Sequence, residues 1–257
     1  MNMHRVYGLL LRHWYLTINS FDRMIDVVLW PVINLLLWGF AAVFVQKLGA
    51  DKFVASVFLG GLLLFSIFNR AQKDMCVYLI EDFWNKSVYS LYVTPVTEAE
   101  LFLSTAIIGV IRAVIEFSIM SLCALAYGFN IYTVSGFAVF FVPLFIFAWA
   151  VGLFVNGIVF QYGARISIAI WGIPVMLEPF AAIYYPLSVL PQSLQTIAAT
   201  MPLAYVFEGL RAAMNGVFLM REFFTALGLS VLYFIASYLL FRSMVKRGRR
   251  TGFLSKQ

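Results

Sequence analysis

The residues able to do chemistry in this chain are few, and most are embedded in apolar sequence. Arg112 and Glu116 stand four residues apart, on one face of any helix that holds them. Each costs about 2.5–3.5 kcal/mol at the centre of a membrane helix, so the two must pair or face protein rather than lipid. Two uses follow: an ion pair that fixes helix packing, or a polar element beside a substrate path or subunit interface. Glu178, next to Pro179, reads either as a lone buried acid or as part of the entrance to a broken outer segment. Glu208 and Arg211, three apart, suit a structural pair.

Other chemistries lack their residues. His4 and His13 both precede the first long apolar run, so neither an HExxH motif nor a zinc-ligand cluster is formed. Cys76 and Cys123 lie in apolar surroundings and suggest no disulfide framework. None of the 17 glycines opens a GxxxxGK[ST] phosphate loop. We therefore expect no metal, no cofactor and no catalytic residues in this chain.

The elements that must position these groups are apolar runs. Of 257 residues, 63% are hydrophobic and 12% charged, against about 25% charged in a soluble domain. The excess is gathered in runs of about 20 residues, enough to cross ~30 Å of hydrocarbon at 1.5 Å per residue. The fold expected is an all-α integral membrane domain over 1–257. Its six transmembrane helices fall at 24–45, 53–80, 101–127, 137–160, 166–183 and 223–241.

Residues 1–23 fit an amphipathic interfacial helix. Met3, Val6, Tyr7, Leu10, Trp14 and Ile18 recur at helical spacing, with Arg5, Gly8, Arg12 and Asn19 on another side. This stretch lacks the features of a cleaved signal and is expected to be retained. Pro186, Pro191 and Pro202 break the apolar stretch 184–222 into pieces too short to cross, which suits a re-entrant pair of outer helices. Residues 242–257 form a basic tail.

Charge sets the orientation. With both termini cytoplasmic, the inner side holds Arg5, Arg12, Arg23, Arg70, Lys73, Lys86, Arg165 and the six Lys and Arg of the tail. Lys47, Lys52, Arg211 and Arg221 fall outside, an asymmetry of the positive-inside kind. The net charge of +6 thus reports membrane orientation rather than nucleic acid. Six spans without an internal repeat enclose a pathway poorly, and a two-fold homodimer is the simplest remedy. Residues 81–100, EDFWNKSVYSLYVTPVTEAE, mix acids with aromatics and read as a cytoplasmic segment with a short helix ending at Thr94-Pro95, suited to a partner's groove.

Taken in this order, the pattern resembles the permease subunit of type-2 ABC exporters, the ABC-2 type family. The resemblance rests on the N-terminal amphipathic helix, the six spans, and the cytoplasmic segment SVYSLYVTPVTEAE. It rests most on the proline-broken YYPLSVLPQSLQTIAATMPLAYVFEGLRAAMNG, with LP at 190–191 and MPLAYVFEGLR at 201–211. It implies a permease dimer in a bacterial-type inner membrane, in contact with membrane lipids, bound to two copies of a separate P-loop ATP-binding subunit that holds ATP and Mg. It further implies a coupling helix carrying Glu81, Asp82, Phe83, Trp84, Leu91 and Pro95, with the N-terminal helix lying against the ATPase. The outer helices, with Pro191, Pro202, Glu208 and Arg211, would gate the exit. Two other classes stay open: a membrane enzyme acting on a lipid or lipid-linked substrate, and an ion-coupled carrier using Arg112, Glu116 and Glu178 as relay groups.

Overall fold

A computed structural model of the chain describes residues 2–49, 51–84 and 96–250. These residues form helices joined by turns and short 3-10 segments. Among the described residues, five helices are long and apolar enough to cross a membrane.

The amphipathic N-terminus is helix α1, Met3–Ile18, begun by the Asn2 side chain accepting from the His4 N–H. It is followed by α2, Phe21–Lys47, which keeps Pro31 inside it, and α3, Lys52–Trp84. At 33 residues α3 is about 50 Å long and outreaches a ~30 Å hydrocarbon layer. Next, α4 runs Glu98–Leu125 and opens with a capping box. The Thr97 hydroxyl accepts from the Glu100 N–H at 3.3 Å, and the Glu100 carboxylate accepts from the Thr97 N–H at 2.9 Å. After a 3-10 turn at Phe137–Phe140, α5 spans Phe141–Tyr162.

Of the cytoplasmic helix expected to end at Thr94-Pro95, residues 85–95 lie outside the described residues. Glu81–Trp84 are the last turn of α3, and Thr97 to Glu100 begin α4, three residues earlier than the expected third span. The fifth expected span, 166–183, also differs: it is broken. A 3-10 turn at Ala164–Ile166 leads into it, followed by the nine-residue α6 at Ala169–Leu177 and a second 3-10 turn at Glu178–Phe180. Pro174 and Pro179 each lack an N–H for the helical ladder, and the Glu178 N–H tightens onto the Val175 carbonyl. Apolar composition alone did not reveal this.

The outer stretch holds α7, Gln192–Ala198, and α8, Pro202–Met214, each preceded or opened by a proline. The last helix, α9, covers Met220–Arg250 and extends well beyond the expected 223–241. Its main neighbour is α5, while α3 packs on α2, α4 and α5 and so holds the centre. Small residues allow the closest approaches. A Cβ on Gly152 of α5 would stand 2.7 Å from the Met75 side chain, and one on Gly61 of α3 would stand 2.6 Å from the Ile183 carbonyl oxygen. The core runs along α3 through Leu63, Leu64, Phe68 and Ile80 to Phe140, Leu144 and Phe207. By contrast α2 and α9 are the least covered of the long helices.

Candidate functional site

The central feature is a set of charges on the inner helices. Arg70 on α3 is 4% exposed and serves two neighbours. It donates to the Glu116 carboxylate of α4 at 2.5 Å, to the Asp26 carboxylate of α2 at 2.6 Å, and to the Asp26 carbonyl at 2.7 Å. One turn along α3, Lys73 reaches the other Asp26 oxygen at 2.5 Å. Asp74, buried beside them, accepts from Arg112 at 2.8 Å, and Arg112 also donates to the Tyr78 hydroxyl at 3.2 Å. Three helices are thereby tied through side chains that would be costly in lipid one at a time.

Arg112 and Glu116 are both buried, as their cost demands, but they are not partners of each other. Each crosses to α3, Arg112 to Asp74 and Glu116 to Arg70. The i,i+4 spacing placed them on one face, and that face is the one packed against α3.

Beside this network lies a half-open cavity of about 550 Å³. From α2 it takes Asp26, Trp30, Asn34 and Trp38, a lane about 18 Å long at 1.5 Å per residue. From α3 come Phe65, Arg70 and Lys73, and from α4 Glu116. Trp171 of α6, then Glu178 and Tyr184, close the remaining side. Tyr184 stacks on Trp38 with ring centroids 4.8 Å apart, and on Phe58 at 5.7 Å. Thus Glu178 shares one wall system with Glu116 instead of standing apart from it. Sequence reading did not single out Asp26, Lys73, Asp74, Tyr78 or the three tryptophans. Asp26 falls without remark inside the first expected span, Lys73 counts only as an inner positive charge, and nothing local marks a tryptophan as facing a cavity rather than lipid.

At the far end of α3, the acids expected to meet a partner are engaged within the chain. Asp82 accepts from Arg12 of α1 at 2.5 Å, and Glu81 pairs with Arg23 of α2. Trp84 is exposed. The backbone of Phe83 is helical, its side chain lies outside what is described, and Leu91 and Pro95 lie outside the described residues. His13 is fully buried, its ring 3.9 Å from that of Tyr78. Burial first, then the Arg12 charge, lowers its pKa to about 4, so it sits neutral between α1 and α3. At the start of α1, the Asn2 N–H donates to Glu100 at 2.6 Å.

The outer proline-broken segment is held by one ion pair. Glu208 and Arg211 of α8 meet at 2.9 Å. Glu208 also accepts from the Leu187 N–H at 3.0 Å, while Arg211 donates to the Ala182 carbonyl at 2.8 Å. Ala182 sits at φ 52, a left-handed conformation unusual for alanine. Pro191 immediately precedes α7 and is exposed, whereas Pro202 is buried at the first position of α8.

Compared with known families, residues 12–215 match the family model described as ABC-2 type transporter, from the middle of α1 to just past α8. No curated protein matches the chain.

Proposed function

Because the chain belongs to the ABC-2 type transporter family, and is thus a multi-pass transmembrane component of an ABC-type transporter rather than an enzyme, we propose that it is the permease subunit of an ATP-driven exporter. It works as a homodimer with two copies of a separate P-loop ATP-binding subunit, which carries ATP and Mg. The membrane is a bacterial-type inner membrane, with both termini cytoplasmic. Six crossings result, the fifth made in pieces by α6 and its flanking 3-10 turns.

The observation that carries this reading is the cavity between α2, α3, α4 and α6. Ionisable groups inside a membrane domain face protein or a water-filled path, and here five of them line one space. That space opens beside Trp30 of α2 and Trp171 of α6, both exposed in the single chain. A second copy set against this side would close two such cavities into one pathway. Coupling enters at the inner ends of α3 and α4, through residues 81–95 and the α1 helix that pairs with Asp82 and Glu100. The α7–α8 segment, with Pro191, Pro202, Glu208 and Arg211, forms the outer gate.

The test is extraction in mild detergent through a C-terminal tag, followed by mass spectrometry of intact complexes. Two copies of this chain with two copies of an ATP-binding protein are expected. A chain that repeatedly runs without such a partner overturns the reading. Transport that follows a proton gradient without ATP would point instead to an ion-coupled carrier, a class less suited to a network whose membrane bases are all paired with acids.

A further inference from the structure

The charges that line the cavity do not balance. Its bases are Arg70 and Lys73, and its acids are Asp26, Glu116 and Glu178. Asp26 is held by Lys73 and Arg70, and Glu116 by Arg70, so the inner end is internally compensated. Asp74 and Arg112 behind it neutralise each other. Glu178 is different. Its carboxylate makes no ion pair or hydrogen bond among the described residues, although it is half-buried and lines the same cavity.

The same cavity is also lined by aromatic side chains. Trp30 and Trp38 of α2, Trp171 of α6 and Tyr184 line the same space. Indole and phenol faces carry the negative lobe of the ring quadrupole and attract a cation held within about 6 Å of the centroid. An acid without a counter-ion and a set of ring faces both select positive charge, while the rings also accept a large apolar body. At about 550 Å³ the cavity is in the usual range for a small-molecule site.

We propose that this cavity takes an amphipathic organic cation, with the Glu178 carboxylate as counter-ion and the apolar body of the ligand against Trp30, Trp38, Trp171 and Tyr184. The proposal rests on the transporter reading for its consequence, that such cations are the transported class, but the binding site stands or falls by itself. An anionic ligand would meet Glu178 with repulsion and find Arg70 and Lys73 already occupied. A neutral glycan would use the ring faces and leave the acid without a role.

The experiment uses the full chain in phosphatidylcholine nanodiscs, with empty nanodiscs to subtract partitioning. Tetraphenylphosphonium is titrated against tetraphenylborate, which has nearly the same size and shape and the opposite charge, and tryptophan fluorescence is read. Saturable quenching by the phosphonium alone is expected. Glu178→Gln should weaken it at least tenfold, and Glu178→Asp should keep most of it. Trp171→Leu, at a half-exposed position, should weaken phosphonium binding several-fold and serves if the glutamine variant fails to fold. Equal binding of the two ions, or unchanged phosphonium affinity in Glu178→Gln, overturns the proposal. Capture of the ATP-binding partner is scored on the same preparations. Partner capture without charge discrimination refutes the cation site and leaves the transporter reading, and the reverse result does the opposite.

Discussion

Arg70 is the residue whose removal should be felt most widely. Changing it to methionine keeps much of the apolar stem and deletes the guanidinium. Asp26 then still has Lys73 at 2.5 Å, but Glu116, 4% exposed, loses the partner that met it at 2.5 Å. Stranding one member of a buried pair costs about 3–5 kcal/mol. Glu116→Leu is milder, because Arg70 keeps Asp26 at 2.6 Å; losing one charged hydrogen bond costs about 1.5–3 kcal/mol. Removing both members leaves no orphaned Glu116, and the double variant still loses the Arg70 hydrogen bonds to Asp26, a cost of about 1.5–3 kcal/mol. The double variant Arg70→Met/Glu116→Leu is therefore expected to be more stable than Arg70→Met alone, with a coupling of about 3 kcal/mol. Reversible unfolding by SDS titration in mixed micelles, followed by tryptophan fluorescence, measures all four corners of the cycle. Additive losses, with the double variant as weak as the sum of the singles, would refute the claim that Glu116 depends on Arg70.

Three further outcomes follow from the geometry. Because His13 has a folded pKa of about 4 against 6.5 unfolded, the unfolded chain takes up its proton first as pH falls. Its contribution is intact above pH 6.5 and is lost towards pH 4, by about 3 kcal/mol in all; unfolding titrations at pH 7 and 4.5 should show a smaller pH effect in His13→Leu than in the natural chain. Gly61→Ala should destabilise by about 1–3 kcal/mol, since its methyl would meet the Ile183 backbone oxygen, which cannot swing aside as a side chain does; the same SDS titration measures it. Ala182→Gly should raise the unfolding midpoint, by about 1 kcal/mol, by relieving a φ of 52 while leaving the carbonyl to Arg211.

How far the sequence was readable depended on how local each cause is. Long apolar runs and the 3.6-residue rhythm of residues 3–18 are local, and α1 to α5 and α9 appear near where those signals lie. The start of α4 was also written locally, in Thr97-Glu98-Ala99-Glu100, a capping-box spelling directly before an apolar run, yet the span was expected at 101. The broken fifth segment was missed because Leu, Ile and Val at 166–183 outweigh two prolines in any average of hydropathy. Pairing in the site was out of reach for another reason. Arg70 and Glu116 are 46 positions apart, and Arg112 and Asp74 are 38 apart. Spacing rules see only partners on the same helix, so they correctly found the buried face and could not find what it touches.

The contacts of α1 also bear on the order in which the chain assembles. Arg12 waits 70 positions for Asp82, and Asn2 waits 98 for Glu100. At ribosomal speeds of about 5–20 residues per second, the first helix spends several seconds without either acid. Its exposed apolar side, with Tyr7, Trp14 and Ile18, gives it the membrane surface as a resting place meanwhile. Only when the start of α4 has left the ribosome can the helix settle against both acids at once. A nascent chain arrested before residue 100 would carry α1 without its full berth, and protection of that helix from protease would time the moment at which the first three spans come together.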